Sequence, residues 1–254
     1  MKKVIYLLLL MPLLVISQNK QEYMVFENAM VTANPEKITE FEKGLMEHNK
    51  KYHAEGAFAA RVYWVMNGDN VGKYILSTGP LPWSAFDNRP NQEGHAEDWN
   101  TNVAAYAEPN WNQTFWKFKA DLSNFPKDMT INKLHLNIFD FKRFKGEKAM
   151  KLMGKIKKTM VEKFPEDAYG IYTNEFPSTD DGRDMVFVSF FEKSSWLGED
   201  NEFAKKYDET NGEGSFANFI KEWETVTNGG EQEVWIYRED LSGIKGEVKA
   251  ETRQ

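Results

Sequence analysis

The chain has 254 residues, of which 41% are hydrophobic and 14% aromatic, and it contains no cysteine. The lack of cysteine excludes disulfides, thiolate nucleophiles and cysteine-ligated zinc or iron–sulfur sites. The formal net charge of −7 disfavours nucleic acid as a partner, because binding to the phosphate backbone depends on clustered lysine and arginine.

The first seventeen residues have the parts of a secretory signal peptide. Lys2 and Lys3 form a basic start, residues 4–16 form an apolar run, and Val15 and Ser17 suit a signal-peptidase site. The run is shorter than the stretch of about 20 apolar residues that crosses a bilayer, and no second run follows. The sequence therefore predicts that residues 1–17 are cleaved and that a secreted or periplasmic protein without a membrane span remains.

The next hundred residues alternate between strand and helix patterns. Asn34 followed by Pro35 is a typical helix start, and Ile38, Phe41 and Leu45 then fall on one face of that helix. Strand patterns precede and follow it, and the last one is aromatic. The predicted elements are a strand at 22–33, a helix to Gly56, strands at 58–66 and 73–78, a helical region at 94–107 and a strand at 114–120.

The same order of predicted elements occurs again in the second part of the chain. Ala149, Leu152 and Ile156 form the apolar stripe of its first helix, which ends before Pro165. The predicted elements are a strand at 133–142, this helix, strands at 169–176 and 184–191, a helical region at 216–226 and a strand at 233–239. Each half thus has the order β-α-β-β-α-β, which predicts a four-stranded antiparallel sheet with two helices on one face.

Short sequence matches support a duplication. Residues 36–37 and 147–148 are both Glu-Lys, at an offset of 111, and residues 116–123 resemble residues 235–242 at a larger offset. We predict two ferredoxin-like repeats, residues 22–123 and 132–242, followed by a polar C-terminal tail, residues 243–254. A sheet of this kind leaves one face uncovered, so each repeat needs a partner for it.

In element order and duplication, the chain resembles the dimeric α/β barrel superfamily, here fused into one polypeptide. This resemblance implies an α+β fold in which two antiparallel sheets pack as an intramolecular pseudo-dimeric α/β barrel. The superfamily includes small monooxygenases of the antibiotic-biosynthesis type, haem-degrading enzymes, chlorite-dismutase-like haem proteins and binding proteins. Fold alone does not choose among these functions.

Two groups of candidate residues lie in the first repeat. His48 falls on the apolar stripe of the first helix, where it is either a helix-packing residue or a group facing a ligand. His95 and Trp99 are four apart in the second helical region and share a face, and His53 is expected only to interact with the carbonyls at a helix end. The haem-degrading members use an Asn, a Trp and a His, and Asn28, Trp83 or Trp99, and His95 match this set loosely.

The strands supply the other candidates. If the leucines of strand 133–142 pack under the helices, His135 and Asn137 face the barrel interior. Arg61 and Tyr63 share a face of the strand at 58–66; a buried arginine there requires an anionic partner, and an exposed one requires none. We expect an interior that is filled or nearly filled, with polar groups that bond each other.

The sequence contains no Gly-rich phosphate loop, zinc-binding helix motif or nucleophile elbow. We therefore expect a small-molecule-binding or accessory protein that takes an apolar or aromatic ligand, without a metal or cofactor and as a monomer or weak oligomer. The alternative is an oxidoreductase, either a cofactor-free monooxygenase or a haem-using enzyme. A purely structural or interaction protein is the third possibility.

Overall fold

The computed structural model describes residues 22–126, 129–178, 180–244 and 249–250. The predicted signal peptide lies outside these residues, and so does most of the predicted C-terminal tail. Among the described residues, no helix is both long and apolar enough to cross a membrane.

The first half begins with a strand and a helix whose burial follows the expected periods. Buried and less buried residues alternate at the start of the strand, whereas the helix buries Phe41, Leu45 and Tyr52 on one face. The elements of this half are β1 (Met24–Val31), α1 (Ile38–Tyr52), β2 (Ala60–Val65), β3 (Tyr74–Pro82), α2 (Trp83–Asp87), α3 (His95–Asn102) and β4 (Asn112–Phe118).

The second half contains the same order of barrel strands, a longer first helix and two additional short strands that pair with each other. That helix buries Ala149, Leu152 and Ile156, the stripe expected from the sequence. The elements are β5 (Met129–Thr130), β6 (Lys133–Phe141), α4 (Gly146–Lys163), β7 (Tyr169–Asn174), β8 (Met185–Phe190), α5 (Phe203–Asn211), α6 (Ser215–Glu224), β9 (Thr227–Tyr237) and β10 (Lys249–Ala250).

Eight of these strands form one closed antiparallel barrel in the order β1-β3-β2-β9-β6-β8-β7-β4. The two halves meet at strand edges, where β2 pairs with β9 and β4 pairs with β7. The sheets are therefore joined edge to edge into one barrel, which leaves neither half with an unpaired edge in this sheet.

Three apolar clusters divide the protein into layers. One fills the barrel with side chains from both halves, including Tyr63, Trp116 and Leu136. A second lies between the barrel and the helices of the first half around Phe41, and a third lies between the barrel and the helices of the second half around Leu152. Each strand of the barrel thus has an interior face and a helix-facing face.

The structure corrects three details of the predicted helices. The first helix begins at Ile38 because Asn34 forms a turn instead of a cap: its side-chain oxygen accepts from the Glu36 N–H at 2.9 Å. The region at 94–107 is α3 followed by a separate 3₁₀ turn. The short α2 and the whole of α5 were absent from the prediction.

Candidate functional site

A groove of about 1060 Å³ lies between the barrel and the helices of the second half. Its floor comes from β6, β7, β8 and β9, and its walls come from α4, α5 and α6. This volume is at the upper end of the range for small-molecule sites. We refer to it as the second-half groove.

Aromatic rings make up much of the groove surface. Tyr169 and Phe187 stack on the floor, with ring centroids 4.8 Å apart and planes within 5°. Phe219 and Trp223 stack on the wall at 5.7 Å. Tyr169 and Phe219 are buried, so the ring surface that lines the groove comes from the partly buried Phe187 and Trp223 stacked on them. Such a surface suits a flat apolar ligand.

A few polar groups from three strands interrupt this apolar surface. His135, Asn137, Ser189 and Gln232 line the groove, and Gln232 Nε2 donates to Asn137 Oδ1 at 2.9 Å. Burial lowers the pKa of His135, and a hydrogen bond with Gln232 partly opposes that shift. His135 is therefore neutral at pH 7, and a neutral imidazole can accept a proton from a bound ligand.

The charged residues of the groove are mostly acidic. They comprise one lysine, Lys193, and four acidic residues, Glu166, Asp167, Glu192 and Glu199. This balance favours a neutral or cationic ligand, because a carboxylate on the ligand would meet like charges.

The acidic groove fits haem poorly. A haem carries two propionate carboxylates, which need cationic or neutral donors, and the four acidic residues outnumber Lys193. One imidazole, that of His135, is available, and its ring centroid lies 6.0 Å from that of Trp196. The haem option that the resemblance leaves open is therefore not supported by the composition of this groove.

The orientation of His135 and Asn137 differs from the expectation. Leu134, Leu136 and Ile138 belong to the cluster that fills the barrel, so the intervening His135 and Asn137 face the helices. On β1, by contrast, Phe26 packs against the barrel cluster. The offset of 111 that relates the two first helices would pair Phe26 with Asn137, which lies on the opposite face.

Arg61 and Tyr63 lie away from the groove. Tyr63 is 3% exposed within the barrel cluster, and burial raises the pKa of its hydroxyl. The Arg61 guanidinium donates to the Gly79 carbonyl and lies 5.9 Å from the Phe26 ring. Beside Asn28 the barrel interior contains a cavity of about 20 Å³, which is room for about one water.

The remaining predicted residues meet in the first half. His48 on α1 packs against His95 and Trp99 of α3, with ring centroids 4.8 and 5.2 Å away. His53, which we expected only to interact with helix-end carbonyls, joins them at 5.1 Å from His95. Burial lowers the pKa of His48 and of His95, and it lowers that of His53 to about 4. We call His48, His53 and His95 the histidine cluster.

The loose haem set is not brought together. Asn28 borders the small cavity in the barrel, whereas the ring of Trp83 packs against Phe86 and Phe115. Trp99 and His95 lie with the histidine cluster in the helix layer. These positions give the set no common site.

Several groove residues were missed from the sequence. Phe187 lies in a predicted strand and Trp196 lies outside the predicted elements, and nothing in the sequence indicated that they border one space. Phe203 lies on α5, a helix that we did not predict. The strong apolar face of the segment at 215–224 was the available signal, because such a face needs a partner.

No family model and no curated protein sequence matches the chain. Solved structures do match its fold. A putative monooxygenase from Lactobacillus acidophilus is 15% identical with a TM-score of 0.51, covering 91% of this chain and 100% of that one. A putative monooxygenase from Fusobacterium nucleatum is 11% identical with a TM-score of 0.54, covering 92% and 100%.

A mutant chlorite dismutase from Candidatus Nitrospira defluvii also matches, with 7% identity, a TM-score of 0.54 and coverage of 87% and 95%. Identities this low show a shared fold and no more. The chain therefore has the ferredoxin-like α+β fold of these proteins, and its function has to be argued from its own residues.

Proposed function

We propose that the second-half groove binds a flat, electron-rich aromatic molecule and that the protein oxidises this molecule with O2 without a cofactor. The observation that carries the proposal is the aromatic groove itself, about 1060 Å³ in volume, with the neutral imidazole of His135 on its floor. Two solved structures of the same fold that are described as putative monooxygenases support the reaction class.

The proposed role of His135 is that of a general base. A substrate with an acidic ring CH2 or a phenolic hydroxyl can transfer a proton to a neutral imidazole within hydrogen-bond reach. The resulting anion is more electron-rich than the neutral molecule, so it can pass electrons to O2. Asn137 and Gln232, already hydrogen-bonded to each other, can orient the ligand's oxygen atoms.

The reaction balances without an external reductant. Two C–H bonds of a ring CH2 break and a C=O bond forms, and one oxygen atom of O2 enters the product. The other oxygen atom leaves as water with the two hydrogens. The substrate supplies all four electrons that reduce O2, so no flavin or metal is required for the electron count.

Binding is tested first. Trp196 and Trp223 line the groove, so we expect saturable quenching of tryptophan emission when the chain is titrated with 1-naphthol. Ser189→Phe places a ring in the groove and should abolish the quenching, whereas Ser178→Phe makes the same change at an exposed turn and should preserve it. Equal quenching in both variants would refute the site.

Turnover is tested separately with anthrone, a flat tricyclic molecule whose central CH2 is acidic. We expect anthraquinone to form with one O2 consumed per molecule, above the uncatalysed rate. His135→Ala should still bind 1-naphthol but lose about 100-fold in rate, the usual scale of general-base catalysis. Binding without turnover in the unaltered chain would leave a binding protein, and a Soret band on adding haem would favour the haem-using alternative.

We also propose that the two halves arose by duplication and that each covers the other's strand edges. The common order of strands in residues 22–126 and 129–244 supports this. Residues 18–125 expressed alone should dimerise, because β2 and β4 would lack their partners β9 and β7. A folded monomer in light scattering would contradict the proposal.

Export remains a proposal based on Lys2, Lys3 and the apolar run that follows. The expected outcome is that the protein recovered from outside the cytoplasm of its natural host begins near Gln18. Sequencing of its N-terminus tests this, and a protein that retains Met1 would contradict it.

A further inference from the structure

The histidine cluster lies where two helices of the first half meet. His48 is on the buried face of α1, His53 directly follows that helix, and His95 is the first residue of α3. One ring nitrogen of each histidine lies within 4.8 Å of one in each of the others. Three imidazoles, two from helices and one from the residue that follows α1, therefore border one small volume.

The hydrogen bonds on the outer side of the cluster fix which nitrogens face inward. His53 Nδ1 lies 3.0 Å from the Phe58 carbonyl oxygen, which can only accept, so Nδ1 carries the proton. His48 Nδ1 lies 2.7 Å from Asp98 Oδ2, a carboxylate that also accepts. In both neutral imidazoles Nε2 is therefore the bare nitrogen with a lone pair.

One of these two inward lone pairs, that of His48, lacks a donor among the described residues, whereas His53 Nε2 lies within hydrogen-bond distance of His95 Nε2. His48 is 1% exposed, and its Nε2 has no hydrogen-bond partner in the described part of the chain. The ring of Tyr52 closes this side of the cluster, with its centroid 5.0 Å from those of His48 and His95. Buried polar atoms are seldom left unpaired, so an unpaired lone pair here calls for a ligand.

The distance between two of the nitrogens suits a shared metal ion. His53 Nε2 and His95 Nε2 are 3.1 Å apart. Two ligands of a tetrahedral zinc at about 2.05 Å would be about 3.3 Å apart. The hydrogen bonds from His48 Nδ1 to the Asp98 carboxylate and from His53 Nδ1 to the Phe58 carbonyl are of the kind that orients metal-binding histidines.

We propose that His48, His53 and His95 bind one divalent transition-metal ion, with Zn²⁺ the best match. Three imidazole ligands suit Zn²⁺ and its first-row neighbours, whereas Mg²⁺ and Ca²⁺ prefer oxygen. Three protein ligands leave a fourth position, which a water can take. The ion would link α1 to α3, and Asp98 would position His48 without binding the ion.

Aromatic packing alone is the competing explanation. The rings of the cluster contact each other and Trp99 at ordinary ring distances. Packing and an N–H···N hydrogen bond between His95 and His53 account for the position of those two rings, but they leave the buried His48 Nε2 without a described partner. The test therefore has to measure metal binding and not stability alone.

The experiment uses the untagged chain after removal of metal with a chelator. Equilibrium dialysis against Zn²⁺ should give one ion per chain, and Co²⁺ should give the visible absorption of a tetrahedral site. His53→Ala and His95→Ala should each abolish the Co²⁺ spectrum, and both positions are incompletely buried, so the variants should fold. His135→Ala removes the fourth histidine of the chain and should leave stoichiometry and spectrum unchanged.

Asp98→Asn separates the positioning role from the ligands. It should weaken Zn²⁺ binding by about 10- to 100-fold while the tetrahedral Co²⁺ spectrum remains at saturating metal. No bound Zn²⁺ in the unaltered chain would overturn the proposal. So would equal binding by a folded His53→Ala/His95→Ala double variant, with circular dichroism as the check on folding. Neither result affects the second-half groove, because His48, His53, His95 and Asp98 do not line it.

Discussion

The two halves use the space between barrel and helices in opposite ways. In the first half an apolar cluster that includes Phe41 and Leu45 fills this space, and α3 packs closely on α1 at the histidine cluster. In the second half α5 and α6 leave the second-half groove open. The same order of strands and helices therefore supports a closed polar cluster on one side and an open apolar site on the other.

One glycine helps to explain the difference. A Cβ atom at Gly44 on α1 would lie 1.7 Å from the carbonyl oxygen of Asn102, so only glycine permits the observed approach of α3. On α4, Gly154 has open space where a Cβ atom would be. The close packing of α3 on α1 thus depends on the lack of a side chain at Gly44.

The largest expected loss of stability comes from breaking a buried hydrogen-bond network that joins the two halves. Arg183 pairs with Glu233, whose side chain is 1% exposed, at 3.0 Å, and Asn70 of the first half also donates to Glu233 at 2.6 Å. Burial raises the pKa of Glu233, but Arg183 outweighs this and keeps it below the ordinary value. Arg183→Met should cost about 3–5 kcal/mol, because it leaves a buried charge without its partner.

Urea denaturation measures this loss. The exposed Arg143→Met is the control and should change the free energy of unfolding by less than about 0.5 kcal/mol. Because the network joins the halves, we expect one transition in both variants. Separate transitions for the two halves would contradict a shared core.

The next effect compares equivalent helix positions. Leu45 on α1 is fully buried, and Ile156, its equivalent on α4 at an offset of 111, borders the groove. Leu45→Ala should cost about 4 kcal/mol because it leaves an enclosed cavity. Ile156→Ala should cost about 2 kcal/mol, since space already exists beside it. Equal losses in thermal unfolding would mean that the groove is closed in solution.

A smaller effect tests the two glycines. Gly44→Ala must displace α3 and should destabilise the protein by about 1–3 kcal/mol, the usual cost of overpacking. Gly154→Ala fits into open space and should stabilise it by about 0.5–1 kcal/mol, because alanine favours the helix. Chemical denaturation of both variants is the measurement. A stabilising Gly44→Ala would refute the close approach of the helices.

The smallest effect concerns pH. The pKa of His135 lies below its ordinary value, so the unfolded chain binds a proton first as the pH falls. As the pH falls below about 6.5, protonation of His135 in the unfolded chain should begin to lower the free energy of unfolding. The loss should be complete once the pH is below the pKa of His135 in the folded state. The unaltered chain should lose more stability than His135→Leu between pH 7 and 5. Parallel curves would show that His135 is not desolvated.

The sequence alone determined the kind of elements and their order. Apolar residues alternate along 133–142 and recur every three or four residues on α1 and α4. Each pattern depends on nearby residues only, so it could be recognised without knowledge of the packing. The ends of the first helix were less predictable, because Asn34 can form either a cap or a turn. Short helices such as α2 and α5 lack enough turns for a periodic signal.

The tertiary structure decided which faces and which residues meet. A shift of one residue along a strand exchanges its two faces. The alignment of β1 with β6 is shifted in this way, so His135 faces the helices and not the barrel interior. His48 and His53 are about 140° apart by helical spacing, and they converge only because His53 lies beyond the end of α1. The contact of His53 with His95 closes 42 residues of chain, which no local pattern encodes.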